Sequence, residues 1–416
     1  MLLVPVDSLR AGMVLAQPML HPERDDLVLL AAGFALDNSA IFHLREHRLS
    51  HAWISFPGLD ELDEHAAPRI NVGHMDLLRV LSRSVDDLER RVSVKVNVHH
   101  YQRAVHHMLG EIVQCADHDP VTNQLRACGP TLAGHMANCA YLSLLIGAHL
   151  TGYLRSQRRS LPPDLAENTA QLGMGALLHD IGKVSMPEEL QTKSILDPES
   201  KWPEYRGHVS SGFDEVREHV SPVAASIVLH HHQRFDGSGF PRRKLNMAGA
   251  SDGYEGSRIH VFARIVAVVD AFDHLMCARV GGVRAGKSQS KAMPTVSALA
   301  TIRSDRFKGW FDPVVLEALC RLVPPFMVGS IVGLSDGTQA AVVTNHPEAP
   351  CRPTVRVLSK PVTAHDSRAT KQLDLRMCRN ICVATVDGID VRHHLYTGEF
   401  EPISPHAGLG AAFDAA

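Results

Sequence analysis

Three short stretches carry residue types that do chemistry together: "LLHDIGK" (177–183), "HHHQRFDGSGFP" (230–241) and "RIVAVVDAFD" (264–273). In the first, His179 and Asp180 close an apolar helical pattern, where burying an unpaired carboxylate is expensive. A divalent cation removes that cost, because neutral imidazole and carboxylate are its natural ligands. Gly182 is expected to let the chain turn sharply, and Lys183 sets a positive charge close by. Asp270 raises the same question, since Val and Ala flank it on both sides. As a ligand it is explained. The alternative is a helix-end salt bridge, a role that suits Asp273 better. The triplet His230–His232 has two readings, a solvated polar segment or neighbouring ligands for a cation, and the triplet alone does not choose.

Taken together, these stretches resemble a known family. A lone His, then "HD", then a distant Asp in an apolar helix is similar to the HD superfamily of metal-dependent phosphohydrolases. Within it, "HHQRFDGSGFP" closely resembles the HHExxDGxGYP signature of the HD-GYP subfamily, and "ARIVAVVDAFDHL" resembles its ARI-AVAD-YDAL helix. The resemblance covers roughly residues 130–275 and then fades. It implies hydrolysis of a cyclic dinucleotide, cyclic di-GMP first among them, in bacterial second-messenger signalling. The implied metal ligands are His135, His179, Asp180, His208, His231, His232 and Asp270, with His230 outside the pattern. Asp180 is the implied bridge between two divalent ions (Fe, Mn, Ni or Zn) that share a hydroxide nucleophile. Lys183 is assigned, with Asp180, to catalysis, for phosphate contact or protonation of the leaving group. Arg234, Asp236, Gly237, Gly239 and Arg279 are the implied substrate contacts. The glycines and Pro241 are also explained by turn chemistry alone.

The chain departs from the family pattern at several points. Gln233 stands for the usual Glu, Phe240 for the Tyr of GYP, and Val209 for a proline after His208. Thr131 lies where relatives with a third metal carry Glu, so two metals are expected. The Arg-rich segment after the Asp270 helix is reduced to "CARVGGVRAGKS", in which Arg284 and Lys287 read as solvated charge. These departures motivate a second reading, a scaffold that binds nucleotide or protein partners without turnover. A third is an HD phosphohydrolase for another cyclic dinucleotide or nucleotide.

Composition narrows the classes. The 416 residues are too many for one ordinary core, and a net charge of −3 gives no basic field for duplex nucleic acid. The N-terminus lacks a positive n-region, and the apolar runs are short or charged, so neither a signal peptide nor a membrane span is expected. Eight cysteines without a C-x-x-C pair read as reduced thiols in the cytoplasm. Of the 26 histidines most should carry no role: His99, His100, His106 and His107 read as a solvated helix face, and His393 and His394 likewise. Cys378 and Cys382 read as packing residues.

The elements that must position the site follow from periodicity. Residues 1–66 alternate short apolar runs with turn residues around one helical stretch, "SAIFHLREH", and form an expected small β-rich module. Apolar spacing of three and four sets in near residue 74 and makes 74–325 an all-α, HD-type domain, with residues 82–112 as a lead-in helix pair. Strand patterns return in 326–416, a β-rich extension. Both flanks resemble modules found beside HD-GYP domains. Packing, contact in a homodimer, or binding of a signalling partner are the roles expected of them.

Overall fold

The computed structural model describes residues 1–21, 28–47, 49, 51–59, 62, 81, 98–114, 131–191, 193–244, 251–276, 292–363 and 367–397. Most of the lead-in pair, the linker near residues 60–68, and the segment holding Arg279, Arg284 and Lys287 lie outside the described residues.

The central helices are α2 (Val98–Gln114), α3 (Leu132–His149), α4 (Thr151–Gln157), α5 (Ala170–Leu178), α6 (His208–Val216), α7 (Pro222–His230), α8 (Val261–Met276), α9 (Thr295–Ile302) and α10 (Pro313–Leu322). Local chemistry fixes where several begin. Thr131 Oγ1 accepts from Gly134 N at the head of α3, and Ser221 Oγ accepts from Ala224 N ahead of Pro222 in α7. Asp312 does the same for Val314 N in α10. α3 and α8 are buried on nearly every face, as helices apolar all round must be. α5 packs between α3 and α7, and α8 crosses α3. One apolar core, including Met136, Leu144, Leu177, Ile227, Phe262 and Val269, joins them. Among the described residues no helix is long and apolar enough to cross a membrane.

Among the described residues the N-terminal part has four strands and one α-helix: β1 (Leu2–Pro5), β2 (Met19–Leu20), β3 (Val28–Leu30), α1 (Asn38–Glu46) and β4 (His51–Ile54). β1 pairs antiparallel with β4, Leu2 opposite Ile54. A short pair, β5 (Arg243–Lys244) and β6 (Ser251–Asp252), follows the glycine-rich turn. The C-terminal strands are β7 (Ile331–Leu334), β8 (Gln339–Thr344), β9 (Thr354–Leu358), β10 (Ala369–Asp374), β11 (Val383–Val386) and β12 (Ile389–Asp390). They form one antiparallel sheet in the order β10-β9-β8-β7-β11-β12.

The two flanks, read from sequence as separate modules, share a core. Leu3 N donates to Gly329 O at 2.8 Å, and Leu2, Val4, Leu15, Ile41 and Ile54 pack against Ile331, Ala341 and Leu358. Strand periodicity shows that a face is apolar without saying which other face covers it.

Candidate metal centre

Every implied ligand sits at a helix end or in the middle of a buried helix. His135 is one turn into α3 and Asp270 lies deep in α8. α5 stops at Leu178, so His179 and Asp180 are delivered by its C-terminus into a 3-10 turn, Ile181–Ser185. His208 opens α6, and His231 and His232 follow directly on α7. Gly182 is needed for a reason other than a sharp turn. It is absent from the positive-φ glycines, but a Cβ there would collide with His208 O and stand 2.7 Å from Gly212 N. The bare backbone lets α6 close on the turn and brings His208 to Asp180.

The seven side chains converge and are at most 8% exposed. Asp180 lies between two groups. Its Oδ1 is 3.4 Å from His208 Nε2 and 3.6 Å from His231 Nε2; its Oδ2 is 3.5 Å from His135 Nε2 and 3.6 Å from His179 Nε2. Asp270 Oδ1 is 3.2 Å from His135 Nε2 and 3.9 Å from His179 Nε2, while Oδ2 is 3.7 Å from His232 Nδ1. Two overlapping clusters with metal-ligand spacing result: Asp180, His208, His231 and His232, and His135, His179, Asp180 and Asp270.

The tautomers are set from behind. His179 Nδ1 faces Ala176 O at 2.7 Å, His208 Nδ1 faces Tyr205 O at 2.5 Å, and His231 Nδ1 faces Val228 O at 2.9 Å. A carbonyl only accepts, so each Nδ1 carries the proton and each neutral ring turns its Nε2 lone pair inward. His135 Nδ1 meets Asp273 Oδ2 at 2.6 Å, and Asn138 Nδ2 donates to the other Asp273 oxygen at 2.9 Å. Asp273 is therefore a buried orienting partner of His135 and not a helix-end salt bridge. The signal was its position three residues after Asp270, on the same face of α8.

Charge gives the fit test. Burial pushes the His179 and His208 pKa values down to about 4 and about 3, so both rings are neutral near pH 7. Burial also opposes protonation of His135, but hydrogen bonds to Asp270 and Asp273 outweigh it and raise that ring to about 9. Burial pushes the Asp180 and Asp270 carboxyls up. For Asp180, Lys183 and the histidines override it; for Asp270, His135 and its neighbours do; both are held well below the carboxylate range. All four of their oxygens are buried and meet charged or imidazole groups, Lys183 Nζ 2.6 Å from Asp180 Oδ2 and His274 Nε2 2.9 Å from Asp270 Oδ1, while among the described residues His232 Nε2 is buried without a hydrogen bond. His208 Nε2 and His231 Nε2 face each other at 3.4 Å beside Asp180 Oδ1, with both Nδ1 protons committed elsewhere. The inward lone pairs of His208 and His231 and the anionic Asp180 Oδ1 repel until a cation stands among them, so the residues present fit a divalent metal.

Known proteins are similar to parts of this chain. Residues 142–315 match the HD domain family. Residues 331–389 match a KOW domain associated with the HD domain, which corresponds to the C-terminal sheet. The chain is 26% identical to a cyclic di-GMP phosphodiesterase of Pseudomonas aeruginosa over 383 residues, 85% of this chain and 84% of that one. It is 33% identical over 158 residues to the cyclic di-GMP phosphodiesterase response regulator RpfG of Xanthomonas campestris pv. campestris, covering 37% of each. Among solved structures, an HDG"Y"P protein from Bdellovibrio bacteriovorus aligns with a TM-score of 0.38 and 16% identity, over 76% of this chain and 97% of that one.

The remaining assignments fall as follows. Lys183 is 1% exposed, with Nζ 2.6 Å from Asp180 Oδ2 and 3.1 Å from Lys193 O, so its charge is turned onto Asp180. The glycine-rich turn docks on the loop before α10: Phe235 N donates to Trp310 O and Asp236 N to Gly309 O, both at 2.9 Å. Gly237 has φ +75, and a Cβ on Gly239 would collide with Arg234 N. The Arg234 guanidinium stacks 3.2 Å from the Trp310 ring centroid and lines the cleft over His231, His232 and Asp270. Asp236 Oδ1 accepts from Ser238 N, a turn-holding contact. Thr131 caps α3, and His230 sits half-buried beside Ser226 and Tyr254. His99, His100, His106 and His107 are exposed along α2. Sequence reasoning missed His274, which stacks on His135 with ring centroids 4.2 Å apart.

Proposed function

We propose that this chain is a metal-dependent phosphodiesterase acting on a cyclic dinucleotide, cyclic di-GMP first, with the Asp180-centred clusters as its reaction site. The observation that carries it is the sharing of Asp180: one buried carboxylate offers an oxygen to each of two histidine groups. Two ions are inferred from those two groups, and the nitrogen and oxygen ligands suit Fe, Mn, Ni or Zn. When bound, a pair of divalent ions lowers the pKa of water toward about 7 and offsets charge developing on the phosphate.

The chain's own residues do the rest. His135, His179, His208, His231, His232, Asp180 and Asp270 present ligand atoms already oriented by carbonyls and by Asp273. Lys183 Nζ offsets part of the negative charge on Asp180. Arg234, held flat on Trp310, places a cation at the mouth of the cleft where a phosphodiester arrives. Arg279 is retained as a substrate contact by resemblance alone. The names of the relatives support the substrate class, and the complete ligand set does not favour the scaffold alternative. We assign catalysis to residues 74–325 in the cytoplasm, with 1–66 and 326–416 as a joint flanking unit for packing, dimer contact or partner binding.

The test is elemental analysis of anaerobically purified protein, followed by chromatography of its products from cyclic di-GMP. Turnover to the linear dinucleotide or GMP is expected, lost on chelation and regained with metal. A metal-loaded wild type that behaves like the His179→Ala, Asp180→Ala variant would refute the reading.

A further inference from the structure

Gln233 follows the paired histidines and lies inside the site. It is 3% exposed and lines the cleft with His231, His232, Arg234, Asp270 and Trp310. One contact fixes its amide. Nε2 donates to Pro241 O at 2.6 Å, and because that carbonyl can only accept, the nitrogen must be the atom facing it. Oε1 is thereby turned away from Pro241, is buried, and meets no donor among the described residues. An acceptor buried without a donor costs stability, and a bound molecule that brings an O–H or N–H removes that cost. An ionised glutamate, which stands here in the HHExxDGxGYP pattern, has no proton to give Pro241 O. The amide alone both holds the turn and offers a neutral acceptor.

We propose that Gln233 is a specificity-determining residue whose Oε1 accepts a hydrogen bond from the ribose 2′-hydroxyl beside the scissile phosphodiester. This rests on the phosphodiesterase reading above. The 2′-hydroxyl is the nucleotide donor nearest the 3′ oxygen of the linkage, and Gln233 flanks His232 and Asp270, which would lie against the phosphate. The base N–H groups lie a sugar's width further out.

Metal-loaded wild type and Gln233→Met are compared on cyclic di-GMP, its 2′-deoxyribose analogue and the inosine analogue that lacks the base amine. Wild type is expected to lose about 10-fold in kcat/KM on the deoxyribose analogue, with little change for inosine. In Gln233→Met the ribose-to-deoxyribose ratio is expected to fall toward one, even as loss of the Pro241 contact slows both substrates. A purely turn-holding role lowers all three rates together and leaves the ratio intact, which overturns the proposal. So does a wild type indifferent to the 2′-hydroxyl, a result that needs no variant, or a penalty that falls on inosine instead. Absence of hydrolysis of every substrate by wild type is a separate outcome and sinks the phosphodiesterase reading itself.

Discussion

Replacing Gly182 by alanine adds one methyl group at the point where α6 meets the turn after Asp180. That methyl would overlap His208 O and approach Gly212 N to 2.7 Å and Ser211 Oγ to 2.8 Å, against an ordinary separation of about 3.5 Å. The helix must retreat by roughly 1 Å to relieve the overlap, at an overpacking cost of about 1–3 kcal/mol. His208 is the first residue of that helix, and its Nε2 stands 3.4 Å from both Asp180 Oδ1 and His231 Nε2. A ligand displaced by that much is no longer aimed at the Asp180 cluster, and misplacement of about 1 Å lowers rates by on the order of 100-fold. Metal content by elemental analysis, cyclic di-GMP turnover and urea unfolding are to be measured on the same preparation. The expected result is a folded, modestly destabilised protein with reduced metal at the His208 cluster and severely reduced turnover. A Gly182→Ala protein that matches wild type in metal content and rate would show that close approach of α6 does not build the site.

Two further outcomes are expected. Arg264 Nη1 lies 2.6 Å from Asp312 Oδ2 inside a buried network with Tyr153 and Gln157 that ties α4, α8 and α10 together, so Asp312→Ala should lose about 3–5 kcal/mol in urea unfolding; a change within error of zero would refute it. His260 Nδ1 accepts from Phe262 N at the head of α8, and burial, with Arg158, Arg264 and His230 facing it, pushes its pKa down to about 4. The unfolded chain then binds a proton between pH 6.5 and 4 that the folded chain refuses, so stability is present above about 6.5 and falls by about 1–3 kcal/mol as pH drops to 4. His260→Asn keeps an acceptor without a titration and should reduce that slope, leaving the share due to His179 and His208; identical pH profiles would exclude His260 as a contributor.

The site was legible in the chain because its chemistry is dear. An acid among Val and Ala, as at Asp270, or after an apolar helix, as at Asp180, needs a partner wherever the chain runs. The same logic, applied one turn on, would have found Asp273. Helices that are long and apolar, α3 and α8, were visible for the same reason, and so were strands with apolar alternation. β10, "ATKQLD", was not: it is a polar edge strand whose place comes from pairing with β9, and pairing leaves no periodic trace in a half-exposed sequence.

Residue types and order along the chain thus pointed to the side chains proposed to hold a cation and to where the helices lie. Three things belong to the tertiary structure. Asp180 turns one oxygen to each histidine group, Gln233 commits its nitrogen to Pro241, and the N-terminal strands share a core with the C-terminal sheet. The reason is physical. Burial energy depends on what a residue is and is written locally, whereas direction and distance are set by how remote backbones pack. At Gly182 that packing leaves no room for a single methyl group.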